Sequence, residues 1–271
     1  MSQSNKKKTR GVFFSNGAIG RKTIVFVIIT IVLLAYILFY SYENDENVDV
    51  AQTTRTLMND GFCVFQKETY VLDVKSKMPC RALQNDVLGA LPDGYMFIDY
   101  VYKIEQTALS TFHRDVTSSQ SQYNTLYPTY TLIIYAYAGE LLSICPKSNQ
   151  TYPFVCSQIY NFHGAAKSAF LFDCEILHAG CLNNCNDRLA IQYKLCHKDD
   201  LSKLQHLIGV EKEKKESCEI NFYTLASRKL SYFFQMPINC LFNPLMKTRY
   251  DENSVLGKVQ SLIPLRFYNN E

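Results

Sequence analysis

Between Thr23 and Tyr42 the sequence TIVFVIITIVLLAYILFYSY runs for 20 residues without a charge. At about 1.5 Å of rise per residue such a helix is roughly 30 Å long, the thickness of a bilayer's hydrocarbon layer. A helix apolar on every side also has no polar face to turn towards water. The segment is therefore predicted to be a transmembrane helix. Lys6, Lys7, Lys8, Arg10, Arg21 and Lys22 precede it with no acid among them, and Glu43, Asp45, Glu46 and Asp49 follow it. That asymmetry puts residues 1–22 in the cytosol as a basic tail. The body of this single-pass, type II chain then faces the secretory-pathway lumen, such as that of the endoplasmic reticulum, or the exterior of a cell or enveloped virion. The run exceeds the apolar core of a cleaved signal peptide and ends in Phe39, Tyr40, Ser41 and Tyr42 rather than small residues, so it reads as a retained signal anchor.

All ten cysteines lie beyond this segment. An even number of thiols on the non-cytosolic side fits an oxidising compartment and predicts disulfide bonds, whose pairing the sequence leaves open. Asn149, Gln150 and Thr151 form one acceptor triplet for N-glycosylation. Beyond residue 42 the chain carries 22 Lys and Arg against 25 Asp and Glu. A slightly acidic body lacks the clustered cations that displace counterions from phosphates, which excludes nucleic acid as a partner.

Residues 43–52 are polar and acidic and are expected to form a stalk, with one globular domain over 53–271. An amphipathic helix is expected around Val50 to Asn59, stopped at Asp60 and Gly61 because glycine adopts the left-handed conformation that ends helices. Short runs rich in Tyr, Phe, Val, Ile and Thr predict strands at Tyr95–Tyr102, Tyr130–Tyr137, Phe170–Ile176 and Arg188–Leu195. Many short strands with little intervening helix point to a mainly β jelly roll or related barrel. From about residue 200 the spacing turns helical in KDDLSKLQHLIGV and TLASRKLSYFFQM, with the charged EKEKKE between them expected as a solvated loop. These helices are expected to flank the barrel.

His113 and Asp115 form an H-x-D, which in extended backbone puts both side chains on one face. His178 follows the strand FLFDCEI. Two histidines and a carboxylate make the facial triad of non-haem Fe(II) oxygenases, which leaves positions open for cosubstrate and O2. Arg188, ten residues after His178, opens the next predicted strand. Its planar guanidinium can clasp the distal carboxylate of 2-oxoglutarate through two parallel hydrogen bonds. Tyr130, Thr131 and Tyr135 are candidates to line the pocket.

Taken in order, Gly61-Phe62, His113-Arg114-Asp115, YTLIIYAY at 130–137, CPKS at 145–148, FDCEILHAG at 172–180 and RLAIQY at 188–193 resemble the phytanoyl-CoA dioxygenase (PhyH) family of 2-oxoglutarate oxygenases. The resemblance spans roughly Thr54 to Leu201. It implies a double-stranded β-helix, cupin-like, with His113, Asp115 and His178 as the catalytic iron ligands and Arg188 as the 2-oxoglutarate anchor. It also implies hydroxylation of an unactivated carbon with release of succinate and carbon dioxide. Halogenating relatives replace the carboxylate ligand with a small residue, so Asp115 favours hydroxylation. The apolar helix, the cysteine density and the C-terminal part depart from the family pattern and leave a lipid, a small molecule and a polypeptide all open as substrate.

Other readings are weaker. In a protein kinase HRD would be followed by an Asn where Gln120 stands. Cys181 and Cys185, near Cys174, Cys196 and His197, lack the paired spacing of a zinc site. A disulfide across the loop between His178 and Arg188 suits them better. His163, His197 and His206 have no evident ligand partner, and no spacing supports a Cys/His protease. The rival from another class is a membrane-anchored jelly roll with a structural or adhesive role and no chemistry.

Overall fold

The most apolar strands predicted from the sequence lie at the centre. Strands β4 (Tyr130–Tyr135) and β9 (Leu189–His197) are buried almost throughout, on both faces, as continuous runs of Leu, Ile, Tyr and Ala require. The structure, a computed structural model, describes residues 21–39, 46–105, 111–150, 158–181, 188–215, 220–226 and 228–232.

The larger of two mixed sheets has six strands in the spatial order β10 (Val210–Lys215), β3 (Tyr95–Glu105), β9, β4, β7 (Ala169–Asp173) and β2 (Phe62–Phe65). The smaller has β1 (Glu46–Asp49), β6 (Tyr160–Gly164), β5 (Gly139–Cys145) and β8 (Leu177–Gly180). Their inner faces meet through Phe62, Ile133, Tyr135, Phe170 and Phe172 from the larger sheet and Leu142, Ile144 and Phe162 from the smaller. The Phe162 ring packs edge-on to Phe62 and Phe170, with centroids 5.5 and 5.4 Å apart. Helix α3 (Arg81–Gly89) covers the outer face of the larger sheet with Leu83 and Val87, one turn apart and fully buried. This mainly β arrangement of two mixed sheets is consistent with the jelly roll expected from the strand pattern.

Helix α2 (Leu57–Asp60) ends where the sequence indicated. Thr56 caps its start, and Gly61, at φ 79°, donates its N–H to the Leu57 carbonyl. A Cβ at residue 61 would lie 2.8 Å from both Asn149 Oδ1 and Ile176 Cδ1. Gly61→Ala is therefore expected to destabilise the domain by at least about 1–2 kcal/mol from the left-handed backbone alone. Urea unfolding of the two proteins would measure it.

Several expectations are corrected. Val50–Asn59 is not one helix: a 3-10 turn covers Val50–Gln52, and α2 starts at Leu57. Part of the expected stalk, Glu46–Asp49, is strand β1, which runs parallel to β6 while Val48 and Val50 pack into the core. EKEKK is the edge strand β10, parallel to β3. Its alternating burial leaves charges on the open side, a pattern that blunts an edge against further pairing. Side-chain polarity alone reads such a strand as a loop. The predicted strand Phe170–Ile176 breaks after Asp173 in a turn and resumes as β8. Of the C-terminal helical part, Lys198–Leu207 is 3-10 helix and residues 222–226 and 228–232 are helical; residues 233–271 lie outside the described residues.

Cys63, Cys80, Cys174, Cys181 and Cys196 are free thiols. Cys156, Cys185, Cys218 and Cys240 lie outside the described residues, and with Cys185 the proposed bridge across the loop after His178. Asn149 Nδ2, the atom a glycan would need, instead donates to Asp173 Oδ2 at 2.9 Å. Helix α1 (Arg21–Phe39) belongs to a separate unit, Met1–Tyr40. Among the described residues no helix is long and apolar enough to cross a membrane, and residues 40–42 of the span predicted over 23–42 lie outside them.

Candidate active site

His113 sits outside the regular strands, but its backbone forms an isolated bridge with His178 on β8. His113 N donates to the His178 carbonyl at 2.9 Å, and His178 N returns the bond at 3.0 Å. Asp115 N donates to the Cys174 carbonyl, 2.9 Å away in the turn between β7 and β8. One short stretch of chain, anchored at both ends to the β7–β8 connection, thus presents two candidate ligands beside the third.

The three ligand atoms lie within 4.8 Å of one another, and no other group of three or more His, Cys, Asp or Glu among the described residues could hold an ion. Asp115 Oδ1 is 3.8 Å from His113 Nε2 and 3.7 Å from His178 Nε2. Side-chain movements on the order of an ångström would bring all three to the roughly 2.1 Å that such donors adopt around a divalent ion. Each histidine is oriented from behind: Nδ1 of His113 is 2.8 Å from the Thr111 carbonyl, and Nδ1 of His178 is 3.0 Å from the Ile176 carbonyl. A carbonyl only accepts, so Nδ1 carries the proton and Nε2 offers its lone pair towards Asp115. Burial, reinforced by His113, pushes His178 down to about 4, against the pull of Asp115. Its imidazole is then neutral near pH 7, as a ligand must be. His113 is the open side of the cluster, with 42% of its side chain exposed.

The second Asp115 oxygen is held by residues that sequence reasoning missed. Lys194 Nζ lies 2.6 Å from Oδ2 and Gln192 Nε2 donates to it at 3.1 Å, while the Thr131 hydroxyl also donates to it. Lys194 Nζ donates to Thr131 Oγ1 as well, at 2.7 Å. Burial alone would raise the Asp115 carboxyl, but the Lys194 ammonium, with both histidines, holds it below the usual carboxylate range. Oδ1 is left facing the histidines. The signal was present in the sequence: Arg188, Gln192 and Lys194 share one parity in an otherwise apolar strand, so all three point to one face.

Arg188 is buried and precedes β9. Its guanidinium lies directly over Gly180, two residues beyond His178 on the same face of β8, so that a Cβ at residue 180 would be 2.3 Å from Nη2. Tyr135 points to the same place. Its hydroxyl is buried without a hydrogen bond of good geometry, and its pKa is pushed well up by burial against the opposing charge of Arg188. The Arg188 cation with the buried Tyr135 hydroxyl beside it forms a cradle that fits a carboxylate. Thr131 and Tyr135 are thus interior, as expected. Tyr130 points away and packs on Tyr95, with centroids 5.4 Å apart.

Two of the three remaining histidines have structural surroundings, and the third, His163, is exposed. His206 stacks on Tyr123 and bonds the Thr117 carbonyl, and His197 packs between Tyr127 and Tyr95. Cys174 beside Lys194 is a buried thiol pushed up to about 12, which makes it a poor zinc ligand without further change. A cavity of about 430 Å³ bounded by Phe112, Asn161, His163, Cys181 and Arg228 is lined by none of the triad residues nor by Arg188.

No protein family and no curated protein matches the sequence. Among solved structures, the chain is similar to EvdMO1 (10% identity, 55% of this chain and 50% of that one, TM-score 0.38). It is likewise similar to SnoK, a non-haem α-ketoglutarate-dependent carbocyclase from nogalamycin biosynthesis (12% identity, 55% and 86%, TM-score 0.34). A third is HygX from Streptomyces hygroscopicus, with nickel and 2-oxoglutarate bound (10% identity, 51% and 83%, TM-score 0.36). The chain spans half the length of the first of these.

Proposed function

We propose that this chain is an Fe(II)- and 2-oxoglutarate-dependent oxygenase that hydroxylates an unactivated carbon, anchored beside a membrane by its N-terminal helix. The carrying observation is the convergence of His113 Nε2, His178 Nε2 and Asp115 Oδ1, each ligand fixed from behind, next to the Arg188–Tyr135 cradle. The PhyH-like order of motifs supports the same reading. Anchoring is supported by Ile24 to Leu34, where every residue except Thr30 is an exposed large apolar side chain, all round the helix. A lipid-like molecule, a small metabolite or a polypeptide reaching the membrane surface are the substrate classes compatible with that setting.

Held by His113, Asp115 and His178, Fe(II) with 2-oxoglutarate and O2 supplies the oxidising chemistry, with succinate and carbon dioxide as by-products. The chain contributes the rest. Lys194, Gln192 and Thr131 saturate one oxygen of Asp115 and so direct the other to the metal. Arg188 and Tyr135 bind the distal carboxylate of the cosubstrate and set its reach. The sheet interior around Phe172, whose ring lies 4.4 Å from that of His178, excludes water from the inner side, while His113 leaves the substrate side accessible.

The full-length chain in detergent, loaded anaerobically with Fe(II), should develop the weak visible charge-transfer band of an iron–2-oxoglutarate chelate on titration with 2-oxoglutarate. His178→Ala should abolish iron binding. Iron uptake that survives His178→Ala overturns the assignment, and a well-folded wild type without a band would make the structural jelly roll the better account.

A further inference from the structure

We propose that the C-terminal helical segment around Arg228–Tyr232 is a rear brace that sets the geometry of this site, with Arg228 and Ser231 as positioning residues. The inference rests on the reading above. Phe112, the residue before the first ligand, donates its backbone N–H to Ser231 Oγ at 2.8 Å, and the Ser231 hydroxyl in turn donates to the Arg228 carbonyl at 2.7 Å. The Phe112 ring is held on one side by the Arg228 guanidinium, 4.5 Å from its centroid, and packs edge-on to Tyr232 at 5.3 Å. Such contacts orient a ring without covering the ligand that follows it.

Arg228 itself reaches through the outer face of the smaller sheet. Nη1 donates to the Gly180 carbonyl at 2.7 Å and Nη2 to Ser143 Oγ at 2.8 Å. Gly180 therefore lies between two arginines: Arg228 fixes its carbonyl from outside, and Arg188 rests on its α-carbon from inside. Both halves of the site are touched. Ser231 acts on the His113–Asp115 stretch, and Arg228 acts on the floor of the cosubstrate cradle.

The need for a brace follows from the local structure. His113 is tied to the sheet by a single bridge rather than a ladder, so besides the Thr111 carbonyl at its Nδ1 the direction of its side chain depends on what holds Phe112. The packing beside the brace is incomplete, because the 430 Å³ cavity opens between Phe112, Leu225, Arg228 and the smaller sheet. These hydrogen bonds, not close packing alone, then fix the position.

The test uses the full-length chain in detergent and Co(II) as a spectroscopic substitute for iron, with unfolding temperature measured on the metal-free protein. Ser231→Ala should weaken Co(II) binding by about 10-fold, the lower end of what supporting groups around metals contribute, and alter its visible absorption, with the unfolding temperature little changed. Ser231→Thr, which keeps the hydroxyl, should restore both. Arg228→Lys keeps the charge but not the fork. It should leave Co(II) affinity near wild type and weaken 2-oxoglutarate binding to the Co(II) protein by about 10-fold, one charge-assisted bond's worth. Co(II) and 2-oxoglutarate affinities unchanged in folded Ser231→Ala and Arg228→Lys proteins would overturn this inference alone. A wild type that takes up neither ligand would remove the oxygenase reading and this inference with it.

Discussion

Asp115→Ala is expected to lower the stability of the metal-free protein by about 3–5 kcal/mol, the scale for stranding one charge of a buried pair. His178→Ala, which deprives the site of a ligand without stranding a charge, should have a far smaller effect on folding. Only 1% of the Lys194 side chain is exposed, and its ammonium sits 2.6 Å from the carboxylate. Remove Asp115, and Thr131 alone cannot replace the lost counter-charge. Asp115→Ala/Lys194→Met should recover most of the stability, because the charge is gone and a flexible apolar chain fills its place, yet it should still bind no metal. The linkage has a definite sign. The Asp115 carboxyl is held below its ordinary range in the fold, so its contribution is fully present above the unfolded value of about 4 and is lost only as the pH falls further. Urea unfolding at pH 7 measures the full effect. Equal stabilities for Asp115→Ala and the double variant would mean that Lys194 is not the charged partner of this carboxylate.

That pairing marks the limit of what the sequence disclosed. His113, Asp115, His178 and Arg188 were singled out by the H-x-D spacing together with the resemblance to the PhyH family, and the structure brings the first three together; the central strands were legible because long apolar runs have few other uses. Lys194 and Gln192 went unread although they occupy the same face as Arg188. A lysine in a strand is ordinarily a surface residue, and its burial depends on Asp115, 79 positions away. The same difficulty hid β10. The sequence EKEKK has no apolar pattern, and its pairing with β3 is satisfied by backbone groups that carry no side-chain signature. Gly180 drew no reading of its own beyond closing FDCEILHAG, and only the structure shows a guanidinium against it. Ser231 and Arg228 reach the site through a C-terminal segment whose helical spacing says nothing about which sheet it covers. What escaped sequence reasoning is in each case a contact between segments distant in the chain.

Gly180→Ala should separate folding from cosubstrate binding. A methyl group at residue 180 would stand 2.3 Å from Arg188 Nη2, too close for both to stay. The guanidinium is the far end of a flexible side chain, so it is the part that yields. The fold is then little disturbed, while the clasp on the distal carboxylate is broken. Loss of one hydrogen bond to a charged group, about 1.5–3 kcal/mol, corresponds to roughly 10–100-fold in affinity. A drop of that size in 2-oxoglutarate affinity is expected, with Fe(II) binding unchanged. Arg188→Lys should show nearly the same loss, because an ammonium cannot make two parallel bonds to a carboxylate. Since both substitutions act through one guanidinium, their effects should not add: the Gly180→Ala/Arg188→Lys protein should bind 2-oxoglutarate about as weakly as either single variant. Additive losses in the titration would show instead that Gly180 and Arg188 serve the cosubstrate independently, and that another residue completes the clasp.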